Sequence, residues 1–439
     1  MKIEKVYIKT YGCQMNVHDS ERIKGILAEH SIALVETPEA ADMAVFNTCS
    51  VRAKAEQKVF SDIGRLRPIK KKRPDYKIAV CGCIPQVQRE ALLQKNPLID
   101  LVFGVNNISR FMEFVTQAEL GKRHTHVIDD YALDEYEVSA RRDDPMRAYV
   151  TIMNGCDNFC SYCIVPYTRG REQSRPVAAI LDELHSLVAT GVREVTLLGQ
   201  NVNSYRGLDG AGTAITFPEL LRLVHAIPEL VRIRFVTSHP KDFTEELIEA
   251  MKLPRICKYL HLPIQAGSDR ILGLMKRGYT AAEYLAKVAQ LKAAIPDIAL
   301  SSDFLVGFPS ETEEDFQETL RIVEAVEYAQ IFAFNYSPRP ETVAAKMEEQ
   351  IPFEVMNERL NRLFAKQNEI AERARQQFAG QTLPVLVEGW SKNNTQMLAG
   401  RTDTNAIVHF AGDDALIGTL VMVRITDVKL YSMTGEVVR

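Results

Sequence analysis

The segment Gly155-Cys156-Asp157-Asn158-Phe159-Cys160-Ser161-Tyr162-Cys163 places three cysteines in a C-x₃-C-x₂-C spacing. This spacing is too tight for three separate strands or helices, and it predicts a loop wrapped around a compact object. A [4Fe–4S] cluster has four irons that each take a thiolate, so three thiolates leave one iron open to another ligand. The alternatives are three free cysteines or part of a zinc site, but zinc needs a fourth His or Cys and none follows closely. The spacing therefore favours a cluster with an open iron.

The composition is that of an ordinary globular protein of two or three domains, since 46% of the 439 residues are apolar and 25% are charged. The chain opens directly into a strand-like run without a signal-peptide pattern, and no apolar stretch is long enough to span a membrane. Eight cysteines without a secretory signal predict reduced thiols and metal ligation, and hence a cytoplasmic location. The net charge of −4 does not indicate a nucleic-acid-binding protein, so any RNA contact must rest on local patches.

Strand-like and helix-like runs alternate over residues 1–121, which predicts a parallel sheet wound with helices in the flavodoxin-like manner. Cys13, Cys49 and Cys83 each follow one of the first three predicted strands. The carboxyl ends of parallel strands share one edge of the sheet, where ligands bind. We therefore expect these thiols to converge on a second, auxiliary cluster with one unclaimed iron. The alternative is three unrelated small core residues.

A further cysteine, Cys81, lies two residues before Cys83, and an extended backbone would place both side chains on one face. Cys81 is still inside the apolar strand, whereas Cys83 follows Gly82 at the start of the loop. We therefore expect Cys83 to be the ligand and Cys81 to belong to the core.

Six strand–helix units follow between Arg147 and Phe334, which suits a partial (β/α)6 barrel with the cysteine loop after its first strand. Barrel chemistry lies at the carboxyl ends of the strands, so polar residues and glycines there are candidates for holding a cofactor. An ordinary loop is the alternative for each of them. These strand ends are Gly199-Gln200-Asn201, Thr237-Ser238-His239-Pro240, His261-Leu262-Pro263-Ile264-Gln265 and Gly307-Phe308-Pro309.

Two basic segments each allow two interpretations. Lys70-Lys71-Lys72-Arg73 is typical of a solvated loop, with a contact to RNA phosphate as the alternative. Arg169, Arg171 and Arg175 follow the cysteine loop, where they would anchor a substrate phosphate or carboxylate, or else belong to a surface loop.

The chain ends in a long amphipathic helix over residues 353–378 and a run of short alternating strands after Gly380, which predicts a small OB-like β-barrel. We therefore expect an α/β multidomain protein. Its predicted parts are an N-terminal domain at 1–121, a linker at 122–145, a barrel domain at 146–378 and a C-terminal module at 379–439.

The C-x₃-C-x₂-C spacing, with Tyr162 before the last cysteine, resembles the signature of the radical S-adenosylmethionine enzymes. In that family the open iron chelates S-adenosylmethionine, and an electron from the cluster cleaves it to a 5′-deoxyadenosyl radical. The resemblance implies S-adenosylmethionine as a cofactor and a reducing electron donor as a partner. The cofactor contacts that we expect are Tyr162, Gly199, Gln200, Asn201 and Gln265.

Over essentially the whole chain the sequence is similar to the methylthiotransferase family, whose last domain is the RNA-binding TRAM domain. The MiaB branch of that family adds a methylthio group to C2 of N6-isopentenyladenosine at position 37 of tRNA, in the anticodon stem-loop. The branch that modifies a ribosomal protein typically has Pro-Lys-Asn after the first cysteine, and this chain does not. The segments similar to the MiaB branch are Tyr11-Gly12-Cys13-Gln14-Met15-Asn16, Asn47-Thr48-Cys49-Ser50-Val51-Arg52, Gly199-Gln200-Asn201-Val202-Asn203-Ser204-Tyr205 and Tyr336-Ser337-Pro338-Arg339-Pro340.

The family implies two [4Fe–4S] clusters, one at Cys156, Cys160 and Cys163 and one at Cys13, Cys49 and Cys83. It also implies two S-adenosylmethionine molecules, of which the first methylates a sulfur carried at the auxiliary cluster and the second supplies the radical. Both clusters should then face one cavity, in a protein that we expect to be monomeric.

Two rival interpretations stay open. One is a sister methylthiotransferase that acts on threonylcarbamoyladenosine of tRNA or on a ribosomal aspartate, and the other is a non-catalytic iron–sulfur or RNA-binding protein. Residues 381–439 carry six acidic and five basic residues, so RNA binding there must also use polar and stacking contacts.

Overall fold

The computed structural model describes residues 2–49, 53–121, 123–127, 140–392 and 394–438, with the side chains of 53–56 excepted. The first of its three units is a parallel sheet in the order β2-β1-β3-β4-β5-β6, covered by helices on both faces. Its strands are β1 (Lys5–Thr10), β2 (Ala33–Leu34), β3 (Met43–Thr48), β4 (Lys77–Gly82), β5 (Leu101–Gly104) and β6 (His124–His126). Its helices are α1 (Gln14–Glu29), α2 (Ala53–Arg65), α3 (Arg67–Lys72), α4 (Cys83–Gln88), α5 (Glu90–Lys95) and α6 (Phe111–Glu119).

The strand order 2-1-3-4-5 is the flavodoxin-like one, which confirms the predicted fold of this unit. Both faces of β3 are buried, because the helices cover the sheet on either side. Two edge strands, β2 and β6, were not predicted, and β6 lies within the segment 122–145 that the sequence suggests is a linker. Residues 122 and 128–139 of that segment lie outside the described part of the chain.

The second unit is the predicted partial barrel. Its six parallel strands form two sheets, β7-β10-β13 and β14-β15-β16, which the Ile233–Ile256 bridge joins. No pairing closes β7 onto β16 among the described residues. The strands of this unit are β7 (Arg147–Thr151), β8 (Met153–Asn154), β9 (Gln173–Ser174), β10 (Glu194–Leu198), β11 (Arg206–Leu208), β12 (Ala214–Thr216), β13 (Arg232–Phe235), β14 (Tyr259–His261), β15 (Ala299–Val306) and β16 (Gln330–Asn335).

Helices alternate with these strands and cover the outside of the barrel. Capping boxes begin three of them, at Thr216, Thr280 and Thr312, where each hydroxyl and the acidic side chain three residues on satisfy the first free amides of the helix. The helices are α7 (Val165–Arg169), α8 (Val177–Ala189), α9 (Phe217–His225), α10 (Glu245–Met251), α11 (Asp269–Leu274), α12 (Ala281–Ala294), α13 (Glu313–Val326) and α14 (Phe353–Gln376). None of the helices in the described ranges is both long enough and apolar enough to cross a membrane.

The third unit is a closed five-stranded barrel, which confirms the predicted C-terminal fold. Closure leaves the sheet without free edges. Two of its strands, β18 and β21, were not predicted. The strands are β17 (Thr382–Trp390), β18 (Leu398–Arg401), β19 (Ile407–Phe410), β20 (Leu420–Val428) and β21 (Met433–Val437).

The C-terminal barrel packs against the amino ends of the strands of the partial barrel. Arg232, the first residue of β13, donates from Nη2 to the Pro384 carbonyl at 3.1 Å and also donates to the Arg401 carbonyl. Arg234 donates from Nη2 to the Thr402 carbonyl at 2.9 Å. Because both arginines are buried in this contact, the C-terminal barrel is held at the end opposite the cysteine loop.

Candidate active site

The first cysteine triad lies where β1, β3 and β4 end. Thr48 and Gly82 pair in register on adjacent strands, so Cys49 and Cys83 leave the sheet side by side. A Cβ on Gly12, which has φ +127°, would lie 2.6 Å from the Cβ of Cys49. Glycine is therefore required next to Cys13 for the two loops to approach this closely. Cys49 and Cys83 are buried, whereas Cys13 is exposed, so the triad is open on one side.

Two asparagines fix the backbone around this triad. Asn16 donates from Nδ2 to Asn47 Oδ1 at 3.1 Å and to the Thr48 carbonyl at 3.2 Å, and Asn47 donates back to the Asn16 carbonyl at 2.8 Å. The Cys13 thiol donates to Asn16 Oδ1 at 3.5 Å. The loops that carry Cys13 and Cys49 are therefore tied to each other by buried amides.

Cys81 packs into the core on one face of the sheet, with Val45, Leu101 and Phe103, and is 1% exposed. Burial raises the pKa of its thiol well above the ordinary value, so it stays neutral in this environment. This placement supports its interpretation as a core residue.

The second triad lies on the loop after β8. Gly155, with φ +79°, is so close to Arg171 that a Cβ would lie 2.0 Å from the Arg171 carbonyl oxygen. The Gln200 carboxamide accepts the Gly155 amide at 2.6 Å, and the Gly170 carbonyl accepts the Cys156 amide at 3.1 Å. These bonds fold the loop back onto the residues that follow it. Burial raises the pKa of the Cys163 thiol to about 12, and Cys160 and Cys156 add to this shift.

Two side chains donate hydrogen bonds to these thiols. Asn158 Nδ2 lies 3.3 Å from Cys156 Sγ, and Arg277 Nη1 lies 3.4 Å from Cys160 Sγ. Arg277 is buried and also donates to the Pro263 carbonyl at 2.7 Å and to Tyr279 Oη at 2.8 Å. Sequence reasoning missed Arg277, because nothing in its local sequence separates it from a surface basic residue.

The residues that the sequence predicts as cofactor contacts have different roles around this loop. Gln200 holds Gly155, and Gly199 packs so tightly that a Cβ would lie 2.4 Å from Met153 Cγ. Tyr162 lies beside Arg277, with Oη 3.5 Å from Nη1. Gln265 has φ +81° and is fixed on both sides by backbone hydrogen bonds to β15. The role of Gln265 as a cofactor contact stays a prediction.

A set of buried polar atoms at the carboxyl ends of the barrel strands has no partner in the described part of the protein. Buried polar groups are nearly always hydrogen bonded in native proteins, so such a set marks the place of a polar ligand. Thr237 precedes Ser238 and His239, which carry two of these atoms. Its φ of +69° is rare and strained for a β-branched residue. The atoms are Asn154 Oδ1, Asn201 Oδ1, Ser238 Oγ, His239 Nε2, Asn335 Oδ1 and Tyr336 Oη.

Residues next to both triads take part in the contact between the first two units. Arg169, six residues after Cys163, donates from Nη2 to Asp19 Oδ2 at 2.7 Å and also hydrogen bonds with Cys83. Next to this pair, His18 Nδ1 bonds Thr151 Oγ1 at 2.9 Å. Residues at the strand exits of the two units are therefore in direct contact, and a cavity shared by two clusters stays a prediction.

Comparison with known proteins agrees with this division into three units. A profile of an uncharacterized protein family, UPF0004, matches residues 5–104, that of the radical SAM superfamily matches 150–323, and that of the TRAM domain matches 376–438. The tRNA-2-methylthio-N(6)-dimethylallyladenosine synthase of Geobacter metallireducens is 50% identical over 434 residues, which cover 98% of each chain. The synthase of the same name from Acetivibrio thermocellus is 48% identical and covers 99% of this chain and 92% of its own.

The chain belongs to the tRNA-2-methylthio-N(6)-dimethylallyladenosine synthase family. Among solved structures, the radical S-adenosylmethionine methyltransferase TsrM from Kitasatospora setae is similar, with a TM-score of 0.55 and 16% identity over 78% of this chain and 77% of that one. At this identity the similarity concerns the fold alone.

The synthase family uses two [4Fe–4S] clusters and S-adenosylmethionine, and the residues present fit these groups. Each triad supplies three thiols without a fourth, and the unpartnered polar atoms lie at the strand ends next to the second triad. In the described ranges no three His, Cys, Asp or Glu side chains are arranged to hold a single metal ion.

The three arginines of the synthase that follow the cysteine loop have separate contacts. Arg169 is buried against Asp19. Arg175 is buried and donates to the Thr151 carbonyl at 2.6 Å and to Glu183 at 2.7 Å. Arg171 is exposed and pairs with Asp157 at 2.7 Å. Two of the three are therefore structural, and only Arg171 lies on the surface.

The basic run at 70–73 also contains both paired and exposed side chains. Lys70 donates to the Leu98 carbonyl at 2.7 Å and pairs with Asp100, while Arg73 pairs with Asp42 at 2.9 Å. These two members stabilise the N-terminal sheet, and Lys71 and Lys72 remain exposed.

Proposed function

We propose that the protein methylthiolates C2 of N6-isopentenyladenosine at position 37 of tRNA. The observation that carries this proposal is the presence of two cysteine triads after strands of two parallel sheets, with Arg169 bonded to Asp19 and Cys83 while its neighbour Gly170 accepts the Cys156 amide. A methylthiolation needs both a radical source and a place for sulfur, and two open clusters in one region meet that need. The names of the relatives supply the substrate.

In this proposal Cys156, Cys160 and Cys163 hold the radical-generating cluster, and the auxiliary cluster is held by Cys13, Cys49 and Cys83. When bound, these groups and S-adenosylmethionine supply the radical that removes a C–H hydrogen, together with the sulfur and the methyl group. The C2–H of adenine is not acidic, so the chain does not have to provide a general base for it.

The protein's own residues then bind and orient these groups and exclude water from them. Gln200 fixes the cysteine loop through the Gly155 amide, and Arg277 brings a buried positive charge to Cys160. A thiolate that accepts a charged hydrogen bond is stabilised relative to the thiol. Tyr162 and Asn201 line the same strand ends and complete the proposed cofactor contacts, together with Gly199 and Gln265.

The TRAM unit offers stacking surfaces rather than a positive field for the RNA. Tyr431 is 72% exposed, and Trp390 and Met422 are also exposed on this unit. Bases in an anticodon loop are single-stranded and can be turned out into a pocket at modest cost, and exposed aromatic side chains can stack on such bases. The anticodon stem-loop as the bound element, a reducing electron donor, a monomeric state and a cytoplasmic location belong to the same proposal.

Mass spectrometry of tRNA nucleosides tests this function. Cells that lack the gene should accumulate N6-isopentenyladenosine without its 2-methylthio derivative, and the intact gene should restore that derivative. A gene with Cys156→Ala should not restore it. Cys257→Ala is the matched control, since Cys257 is buried but outside both triads, and it should restore the product.

Two results would contradict the proposal. Normal 2-methylthio-N6-isopentenyladenosine, with loss of methylthio-threonylcarbamoyladenosine or of the modified ribosomal aspartate, would assign the protein to a sister activity. Unchanged nucleosides and an unchanged ribosomal protein would leave a non-catalytic iron–sulfur or RNA-binding role.

A further inference from the structure

His239 lies in the loop after β13, where it follows Ser238 and the strained residue Thr237. Its backbone is held from both directions by Asn203, which accepts the His239 amide at 2.8 Å and donates to the His239 carbonyl at 2.8 Å. The side chain is 6% exposed. The Tyr279 ring meets the imidazole edge-on, with 5.7 Å between the ring centroids. The imidazole is therefore fixed in place and shielded from water.

The hydrogen bonds of His239 determine which ring nitrogen carries the proton. The Lys241 backbone amide donates to Nδ1 at 3.1 Å, and a backbone amide can act only as a donor. Nδ1 is therefore unprotonated, and the neutral ring carries its hydrogen on Nε2. Burial, together with the positive charges of Arg277, Lys241 and Lys287, lowers the pKa of His239 to about 2. The ring is thus a neutral Nε2–H donor at physiological pH.

That donor has no acceptor among the described residues. Leaving a buried donor unpaired is costly, and native structures rarely do so without a ligand or a bound water at the position. The strained φ of Thr237 is a second sign, because backbone strain of this kind is concentrated at ligand sites.

Two chains of contacts place His239 beside the second cysteine triad. Lys241, whose backbone caps the imidazole, donates from Nζ to Asn158 Oδ1 at 2.9 Å, and Asn158 donates to Cys156 Sγ at 3.3 Å. On the other side, Tyr279 accepts from Arg277, which donates to Cys160 Sγ. The imidazole is therefore linked to the first two cysteines of the loop, Cys156 and Cys160.

We propose that the Nε2–H of His239 donates a hydrogen bond to S-adenosylmethionine bound at the Cys156–Cys160–Cys163 loop. The fixed tautomer makes His239 a binding residue that selects for a hydrogen-bond acceptor on the ligand. This inference rests on the proposed function for the presence of that cofactor. It selects one residue, and one nitrogen of its ring, from the strand-end candidates that the sequence offers.

Two variants distinguish the roles of the two ring nitrogens of His239. In His239→Asn, the side-chain oxygen can still accept the Lys241 amide, as asparagine does at helix starts, but the donor at the Nε2 position is lost. In His239→Gln, the longer side chain can place an amide donor near the Nε2 position. Equilibrium dialysis of S-adenosylmethionine against the anaerobically reconstituted protein should show about tenfold weaker binding for His239→Asn. Binding by His239→Gln should lie closer to that of the parent protein.

Thermal unfolding and iron content of each variant should match the parent, which excludes loss of folding as the cause. Equal affinity of His239→Asn and the parent for S-adenosylmethionine would overturn the inference. So would unchanged cofactor affinity with weakened binding of an anticodon stem-loop RNA, because the acceptor would then belong to the RNA. The dialysis contains no tRNA, so its result can be interpreted even if the protein does not act on the proposed tRNA substrate.

Discussion

Arg169 and Asp19 form a buried ion pair between two domains, with Nη2 and Oδ2 2.7 Å apart and 150 residues between them in sequence. Both side chains are almost fully buried, and the guanidinium also hydrogen bonds with Cys83. Burial acts to lower the pKa of Arg169, but Asp19 and the nearby thiols outweigh it and hold this pKa well above the ordinary value. The contact that joins the domains therefore lies against the proposed auxiliary cluster.

Removal of one partner of this pair should strongly destabilise the protein. We expect Asp19→Asn to lower the free energy of unfolding by about 3 kcal/mol, because it leaves a buried guanidinium without its counter-charge. Urea unfolding of the iron-free protein measures this effect without a contribution from the clusters. The control is Arg373→Ala, which breaks a pair with Glu327 whose side chains are 62% and 49% exposed, and it should leave the midpoint unchanged. A loss for Asp19→Asn no larger than that of the control would contradict the prediction.

Iron content tests the assignment of the two triads. The reconstituted protein should carry about eight irons, and the triple variant of Cys156, Cys160 and Cys163 to Ala should carry about four. Iron and acid-labile sulfide analysis measures both. Cys81→Ala should carry as much iron as the parent, because Cys81 packs in the core. Half the iron in Cys81→Ala would show that Cys81, and not Cys83, is the ligand.

The arginines of β13 should determine how firmly the TRAM unit is held. Arg232→Ala removes donors to the Pro384 and Arg401 carbonyls, which are partly buried acceptors. Hydrogen–deuterium exchange should then increase in β17 and β18 and remain unchanged in β1 and β3. Arg424→Ala, which breaks an exposed pair with Glu436 on the same unit, should leave exchange in β17 and β18 as in the parent. Equal exchange in both variants would mean that other contacts hold the unit.

Glu21 on α1 should make stability depend on pH. Burial raises its pKa to about 7 in the folded protein, from an ordinary value of 4.5. Between these two values the folded protein keeps a proton that the unfolded chain releases, so stability falls as the pH rises through this window. Glu21→Gln should therefore be matched by the parent only below about pH 4, under the unfolded pKa, and should be more stable than the parent at pH 8, by thermal unfolding.

The control for Glu21 is Glu29→Gln, an exposed position on the same helix, which should follow the parent at both pH values. A Glu21→Gln curve parallel to the parent curve at every pH would show that this carboxyl does not have a raised pKa.

Much of the site was predictable because its signals are local. The spacing of Cys156, Cys160 and Cys163 fits inside one loop, and the positions of Cys13, Cys49 and Cys83 follow from the ends of apolar strands. Parallel topology then brings those ends to one edge without any knowledge of side-chain contacts. The Thr237–Pro240 segment was predicted as one of four strand ends that could hold a cofactor, but its sequence did not indicate which of its residues would do so.

The contacts that sequence reasoning missed depend on residues far apart in the chain. Arg277 reaches Cys160 across 117 positions, and Arg169 meets Asp19 across 150. The sequence around an arginine in a polar loop looks the same whether its side chain is exposed to solvent or forms a buried ion pair. The short strands β2, β6, β18 and β21 were missed for a related reason, since their pairing partners and not their own sequences stabilise them.

The attachment of the TRAM unit at the amino ends of the barrel strands sets a minimum length for the RNA. The cysteine loop lies at the carboxyl ends, and strands of five to eight residues, such as β7 and β15, are about 15–25 Å long at 3.3 Å per residue. An RNA that touches the TRAM unit and also delivers a base to the clusters must run along the outer wall of the barrel for at least that distance. A free nucleoside cannot bridge the two ends, so we expect the enzyme to distinguish its substrate from mononucleosides by reach as well as by base.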